Sequence, residues 1–471
     1  MPLKLTVFPA KCALIGSSCI AYYLSGYFIL SDNKKQPLNL TSTGKQMTQY
    51  QKTLGPLQGI AMTVTTFIGT GLMILPAMSV AQAGSFAFYA WLITAAMIIP
   101  IAFIFALLGS KYPSAGGASH YIGRAFGSRY EKAVGWLFLS ILLVGPAVAI
   151  KVAAAYLIII FKAPDEWILA FSLLTLAGML LFAIVGMQTS ARFQTGVVIV
   201  MIGTIVWLCF IGDIADSRQV IEAPITSSEW QQTLYATGII FWCFLGIEVM
   251  AHMGAEFKNP TRDFPIALLG GITIVILAYL SLVLLIAWHH TYGDEVTNSQ
   301  SLALLVSKLM GETSSRFFAV GAYIIAFANV AIYILGFSRM VQSMAKQGAL
   351  PKIFMSLNKN GAPEKAVFLV GLITLSSILF SELSGWKMSW FIEMTNGSFL
   401  LIYTLTCIAA FKLVNRTTQL LALIALISCG FMVFFIGQSM LFAVIAFCLA
   451  LSYEYLRSPK SPIKGSKLHV Q

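Results

Sequence analysis

Between residues 56 and 456 the chain is a succession of apolar runs. Each has about the length that an α-helix needs to cross the hydrocarbon core of a bilayer, roughly 20 residues. Short segments rich in charge, proline or glycine separate the runs, so the pattern predicts about twelve membrane helices. The predicted helices lie near residues 56–80, 85–109, 133–160, 167–185, 193–212, 233–254, 265–288, 316–339, 366–383, 389–411, 419–437 and 439–456. The sequence therefore predicts an all-α polytopic membrane protein.

The composition excludes the other broad classes of protein. Of the 471 residues, 58% are hydrophobic and only 10% are charged, whereas an average soluble domain has ~25% charged residues. So few charges do not cover the surface of a soluble globule of this size. The net charge of +12 does not indicate a nucleic acid partner, because Lys and Arg collect in the cytoplasmic loops of membrane proteins.

The distribution of Lys and Arg predicts the orientation in the membrane. These residues concentrate in alternate loops, in the set that includes both ends of the twelve-helix region. The positive-inside rule therefore predicts that both ends of this region lie in the cytoplasm, and an even helix number agrees with it. Residues 457–471 are then a cytoplasmic tail.

Residues 1–46 are an N-terminal extension with three open interpretations. An apolar stretch at 10–30 follows Lys4 as in a signal sequence, but no clean small-x-small cleavage site follows it. The extension is a cleaved signal, a thirteenth helix, or a mis-assigned start that precedes the true one at Met47. We favour the last, because residues 47–50 are a short polar leader to the first strong helix. The twelve-helix domain then covers residues 47–456.

Predicted helix one interrupts its own apolar run near the membrane centre. Residues 65–72 read TTFIGTGL, with Ile68, Gly69, Thr70 and Gly71 at the centre, and Pro76 follows. An unwound segment at this depth is tolerated only where it lines a cavity, because its N–H and C=O groups otherwise lack partners. The structural alternative is a close helix–helix contact, which small residues also permit.

Predicted helix six has a second interruption, five helices later. Residues 241–248 read FWCFLGIE, so a glycine and an acid break the apolar run. Interruptions at matching positions of two halves indicate an inverted-repeat transporter whose substrate binds at the repeat interface.

The two interruptions together suit the head group of an α-amino acid. The helix that follows Gly69, Thr70 and Gly71 offers N–H groups and a positive dipole end to a carboxylate. Exposed carbonyls between Phe241 and Leu245 would suit an ammonium group. Helices three, eight and ten are expected to complete the site without a counter-charge for a substrate side chain, which favours a neutral apolar side chain. The residues expected from them are Leu143, Tyr323, Phe327, Met394 and Ser398.

Glu248 is the strongest ionisable candidate, because an acid at membrane depth is costly and usually functional. His252 and Glu256 follow at i+4 and i+8, which places all three on one helical face toward the cytoplasm. The functional interpretation is a proton route. The alternative is that Glu248 caps broken backbone and His252 bonds within the core. A metal site is disfavoured, because one helix would supply every ligand.

Lys151 lies within predicted helix three, too far from its outer end for snorkelling alone to reach water. Two interpretations stay open. Lys151 acts in the pathway, as a gate or as the partner of an acid such as Glu248, or it reaches an aqueous vestibule without a transport role.

These motifs resemble those of the amino acid–polyamine–organocation superfamily, and most closely its bacterial exporters of methionine and branched-chain amino acids. The resemblance covers roughly residues 52–456. Its most specific parts are the segment 68–71 with Pro76, the loop 112–117 (YPSAGG), the segment 241–248, the loop 256–265 (EFKNPTRDFP) and the stretch 338–351.

The resemblance implies a LeuT-like 5+5 inverted repeat, followed by two peripheral helices, that works by alternating access. It implies that Ile68, Gly69, Thr70 and Gly71 bind substrate together with Phe241, Trp242, Leu245 and Gly246, with Trp242 as a gate. It also implies that Glu248 couples transport to protons, and Lys151 is a second candidate. Helix eight lacks the hydroxyl pair that helps sodium-coupled relatives to hold sodium, so sodium coupling is not expected.

The predicted function is efflux of methionine, leucine, isoleucine and valine across a bacterial inner membrane, with proton coupling or exchange. The alternatives are an importer, an amino acid/amine antiporter and, less favoured, a channel. The expected partners are the amino acid, protons and membrane lipid; the oligomeric state is not predicted. No enzyme constellation is visible and no cofactor is expected.

Overall fold

The computed structural model describes residues 52–457, except 186, 295–296, 299, 387 and 438–439. The predicted N-terminal extension and the tail after residue 457 lie outside the described residues. The described part is almost entirely helical. Its helices are α1 Pro56–Phe67, α2 Thr70–Ala83, α3 Ala87–Lys111, α4 Ala118–Phe126, α5 Ser128–Ile141, α6 Gly145–Phe161, α7 Ile168–Val185, α8 Met187–Ile211, α9 Ser227–Ile240, α10 Ile247–His252, α11 Pro260–Trp288, α12 Ser301–Met310, α13 Glu312–Lys346, α14 Glu364–Leu383, α15 Met388–Leu413, α16 Arg416–Ile436 and α17 Met440–Arg457.

Eleven segments of the described chain are long and apolar enough to cross a membrane. One of them, the 41-residue segment Gly71–Lys111, contains α2 from its second residue and all of α3. The all-α membrane class predicted from the sequence is confirmed. The count of twelve helices and the 5+5 repeat stay predictions.

Three predicted helices are divided in two. Helix one consists of α1 and α2, helix three of α5 and α6, and helix six of α9 and α10 with a 3₁₀-helix at Phe241–Phe244. The sequence predicted the interruptions of helices one and six, but not that of helix three. Two shorter helices, α4 and α12, also lie in segments that the sequence analysis treated as loops.

The divided helices contact one another, α2 with α9 and α6, and α1 with α10. Helix α11 packs against α1 and α3, and α13 packs against α6, α7 and α14. Gly59 of α1 and Gly109 of α3 lie directly against α11, where a Cβ atom would overlap Ala267 or Phe264. Small residues at such contacts let membrane helices approach closely.

Candidate functional site

The interruption of helix one lies where the sequence predicted it. Helix α1 ends at Phe67 and α2 begins at Thr70, with Ile68 and Gly69 between them. The first N–H groups of α2 have no partner within the helix, and the helix dipole makes this end positive. The end is therefore suited to an anion.

On the α1 side of this interruption, the backbone carbonyl groups already accept hydrogen bonds from the protein. An α-helix leaves its last four carbonyl oxygens without intrahelical donors, and in α1 each of the four has another donor. Val64 O accepts from Ile68 N–H (2.8 Å), Thr65 O and Thr66 O accept from Asn329 Nδ2 (2.7 and 2.8 Å), and Phe67 O accepts from the Tyr279 hydroxyl (3.0 Å). Helix one is thus held open without any ligand.

The interruption of helix six depends on Gly246. Its φ of +135° lies in a region that only glycine adopts readily. Its N–H donates to Oε2 of Glu248 (3.1 Å) and to the Tyr403 hydroxyl (3.3 Å). Glu248 therefore caps the start of α10, which is the structural alternative considered in the sequence analysis.

The sequence predicts that the carbonyls at this interruption are exposed for an ammonium group, but two of them accept hydrogen bonds from the protein. Leu245 O accepts from the Tyr333 hydroxyl (3.0 Å), and Trp242 O accepts from Leu245 N–H (3.2 Å). The tertiary fold thus supplies protein donors that the sequence pattern did not reveal.

The interruption of helix three, between Ile141 and Gly145, was not predicted. Leu143 O accepts from the Ser377 hydroxyl at 2.7 Å, so α14 satisfies one carbonyl that the break releases. The signal in the sequence was Pro146, which favours the first turn of a helix and lies at the start of α6.

The three interruptions surround one cavity. Four predicted site residues border it: Gly69, Gly71, Trp242 and Leu245. Every described residue that borders it is uncharged. The others are Thr66, Phe67, Ile141, Leu142, Gly145, Pro146, Ala149, Asn329, Val330, Tyr333, Ile334, Phe337, Thr395 and Phe399.

The remaining predicted site residues lie next to the cavity rather than on its wall. Ile68 and Phe241 are buried, and the Phe241 ring lies against Tyr403. Gly246 packs against the Thr66 side chain. Thr70 contributes the first backbone position of α2.

The five residues expected from helices three, eight and ten do not border the cavity, and this prediction was wrong. Leu143 is 49% exposed, because the interruption of helix three changes its direction. Phe327 lies against the ring of Phe182, on the side of α7. Neighbours one to a few positions away take their places, since the rotation of a helix about its axis depends on its packing. The residues concerned are Leu143, Tyr323, Phe327, Met394 and Ser398.

Glu248 is fully buried and does not border the cavity. Tyr403 donates a hydrogen bond to its Oε2. Its Oε1 is buried and has no hydrogen-bond partner within the described chain. Tyr403 was missed in the sequence analysis, because a tyrosine in an apolar run carries no signal that identifies its partner.

The predicted single face of Glu248, His252 and Glu256 is not continuous. Helix α10 ends at His252, and Glu256 belongs to a separate 3₁₀ turn. The Nδ1 of His252 lies 3.1 Å from Ala115 O. In the described chain no group of three His, Cys, Asp or Glu residues has the arrangement of a metal site.

Glu256 instead forms a buried ion pair with Arg339 of α13. The backbone of Glu256 also accepts from Leu54 N–H (3.0 Å), and Lys258 N–H donates to Leu54 O (2.9 Å). These contacts tie the start of helix one to helices six and eight on the predicted cytoplasmic side.

Lys151 forms an ion pair with Glu382 and not with Glu248. Its Nζ donates to Oε2 of Glu382 (2.7 Å) and to the Ser381 hydroxyl (2.9 Å). Lys151 thus pairs with an acid, as one of the open interpretations held, but the acid is Glu382 and not Glu248, because α6 carries the lysine to the end of α14.

Comparison with known proteins agrees with this architecture. The sequence profile of the amino acid permease family matches residues 54–458. The chain is 34% identical over 421 residues to the L-methionine/branched-chain amino acid exporter YjeH of Escherichia coli, with 89% of this chain and 99% of that protein covered. It is 27% identical over 422 residues to an uncharacterized amino acid permease, YecA, of Bacillus subtilis, with 87% and 96% covered.

A solved structure shares the fold. The structure of MhsT in complex with L-phenylalanine matches with a TM-score of 0.58 and 12% identity, covering 86% of this chain and all (100%) of that chain. The family and the named relatives are transporters and not enzymes. The chain belongs to the amino acid permease family, and it is a multi-pass membrane transporter of amino acids.

Proposed function

We propose that the chain exports neutral apolar amino acids, namely methionine, leucine, isoleucine and valine, across a bacterial inner membrane. The observation that carries this proposal is the uncharged cavity beside the start of α2. A binding site without a charged side chain pairs poorly with a charged substrate side chain, because burial of an unpaired charge is costly. The apolar wall suits an aliphatic or thioether side chain.

In this proposal the backbone N–H groups at Gly69, Thr70 and Gly71 bind the substrate carboxylate. Gly69 and Gly71 border the cavity at the positive end of α2, where an anion is stabilised by both hydrogen bonds and the helix dipole. Ile68 and Phe241 support the site from behind. Trp242 closes over the substrate as a gate, Leu245 completes the wall, and Gly246 supports the site from behind.

The proposed direction of transport is based on the Escherichia coli relative YjeH. The Escherichia coli protein is an exporter of L-methionine and branched-chain amino acids, and the alignment with it spans most of both chains. Alternating access is reversible, so gradients and coupling decide the direction in this chain. Cytoplasmic termini follow from the Lys and Arg distribution.

We assign proton coupling to Glu248. A carboxyl group in a low-dielectric site favours its neutral form, so it takes up a proton from one side and releases it when its surroundings become hydrated. The buried, unpartnered Oε1 is a place for that proton. Lys151 serves the pathway as a gate through its ion pair with Glu382.

Competition in proteoliposomes tests the substrate class. We expect unlabelled methionine, leucine, isoleucine and valine to inhibit counterflow of labelled leucine, and we expect arginine and glutamate not to inhibit it. Protein-free liposomes and D-glucose as competitor are the controls. Equal inhibition by arginine or glutamate would overturn the proposal. Accumulation of labelled leucine in inside-out vesicles, with the gradient reversed as control, tests the direction.

A further inference from the structure

We propose that Asn329 binds the α-ammonium group of the substrate through its side-chain oxygen, Oδ1, while its Nδ2 holds the interruption of helix one. This inference rests on the proposed function, because it assumes an amino acid in the cavity. It names a substrate-binding residue in helix α13 that the motifs of helices one and six do not contain.

The orientation of the Asn329 amide follows from its neighbours. Nδ2 lies 2.7 Å from Thr65 O and 2.8 Å from Thr66 O. A carbonyl oxygen only accepts hydrogen bonds, so the amide must present its NH₂ group to both carbonyls. Both hydrogens of Nδ2 are thereby used, and Oδ1 is the remaining polar atom of the side chain.

Oδ1 is available to a ligand. Asn329 borders the cavity, and within the described residues no protein group donates to its Oδ1. An amide oxygen accepts up to two hydrogen bonds. Because Nδ2 donates to two carbonyls, the amide is polarised and its oxygen becomes a stronger acceptor.

Several other acceptors near the cavity are already engaged. The terminal carbonyls of α1 and the carbonyl of Leu245 have protein donors. Thr66 and Thr395 each donate their hydroxyl hydrogen to the backbone of their own helix. These hydroxyl oxygens are weaker acceptors for a cation than a polarised amide oxygen.

The position of Asn329 also matches the geometry of a zwitterion. A Cβ atom at Gly69 would overlap the Asn329 amide, so the amide lies directly against the proposed carboxylate site. In an α-amino acid one carbon separates the ammonium and carboxylate groups. A carboxylate on the N–H groups of α2 therefore brings the ammonium group within reach of Oδ1.

The test compares leucine with isocaproate, which keeps the carboxylate and the side chain but has hydrogen in place of the ammonium group. Competition against trace labelled leucine in detergent-purified protein gives both inhibition constants, including weak ones. In Asn329→Ala we expect leucine to bind about 10- to 100-fold more weakly, as for loss of a hydrogen bond to a charged group. Isocaproate should lose less affinity than leucine, because it loses only the support that Nδ2 gives to helix one.

Asn329→Asp should change the preference for leucine over isocaproate in the opposite direction. A carboxylate repels the carboxylate of both ligands but attracts only the ammonium group of leucine. The preference for leucine over isocaproate should therefore rise in Asn329→Asp and fall in Asn329→Ala. A loss of folded structure does not produce opposite changes of this ratio.

Gln194→Ala is the matched control. Gln194 also donates its side-chain amide to a backbone carbonyl, Ala328 O, at 2.9 Å, but it does not border the cavity. Gln194→Ala should either weaken the binding of leucine and isocaproate equally or leave both unchanged. An unchanged leucine-to-isocaproate ratio in both Asn329 variants would overturn the inference. If wild-type protein bound no amino acid, the proposed function would fail instead.

Discussion

The Tyr403 hydroxyl donates a hydrogen bond to Oε2 of Glu248 and so joins α15 to the interruption of helix six. The same oxygen accepts from Gly246 N–H at 3.1 Å. When ionised, a carboxylate at the start of a helix is favourably placed with respect to the helix dipole. The capping role and the proposed coupling role therefore use different oxygens of one side chain, because Oε1 has no partner in the described chain.

Glu248→Gln should flatten the pH dependence of transport and weaken its response to a proton gradient. The glutamine oxygen still accepts from Tyr403 and from Gly246, but the side chain does not titrate. Leucine counterflow across the neutral pH range, with and without an imposed gradient, measures the effect. Tyr403→Phe is the control, because it removes one donor and leaves the acid. A wild-type pH profile in Glu248→Gln would mean that the acid only caps α10.

Gly69→Ala should abolish transport, whereas Gly71→Ala should only reduce it. A Cβ at Gly69 would overlap the Asn329 amide, but at Gly71 it would lie 3.0 Å from Cys243 Sγ and 3.4 Å from Trp242. Overpacking of this kind costs about 1–3 kcal/mol. Gly430→Ala in α16 is the control, because no atom lies within 4 Å of the added Cβ. Transport rates of equally expressed variants measure whether Gly69→Ala is more harmful than Gly71→Ala. Full activity of Gly69→Ala would contradict this prediction.

The Lys151 and Glu382 side chains should behave as one unit. Lys151→Met and Glu382→Gln are each expected to change the transport rate, and the double variant should resemble either single variant, because both remove the same ion pair. The pH dependence of transport should stay that of the wild type, since Lys151 does not pair with Glu248. Additive effects would show that the two residues act separately. An altered pH profile would show that Lys151 takes part in proton coupling.

Loss of the Glu256 carboxylate should destabilise the protein strongly. Glu256→Gln removes the carboxylate of the buried ion pair with Arg339, and removal of one partner of a buried pair costs about 3–5 kcal/mol. Glu382→Gln is the comparison. It removes a partly exposed pair, with Glu382 38% exposed, and such pairs are worth at most about 1 kcal/mol.

Thermal unfolding in detergent measures both variants. A clear fall in midpoint for Glu256→Gln, with little change for Glu382→Gln, is expected. Equal midpoints for the two variants would contradict the structural role of the buried pair on the predicted cytoplasmic side.

Local sequence patterns identified the interruptions of helices one and six. Gly69 and Gly71, and later Gly246 beside Glu248, stand out because small and acidic residues are rare within apolar runs. The composition alone established the membrane class, because a chain with so few charges has no soluble fold of this size. These features depend on residues that are neighbours in the chain, so a single sequence displays them.

Side-chain pairing between distant helices is visible only in the tertiary structure. Glu248 meets Tyr403 across 155 positions, Asn329 meets Thr65 across 264, and Lys151 meets Glu382 across 231. The apolar runs of helices three, eight and ten are hydrophobic on most of their faces, so the sequence does not indicate which face meets the cavity. Packing sets the rotation of each helix, and with it the choice of Asn329 and Tyr333 over the residues that the sequence analysis selected.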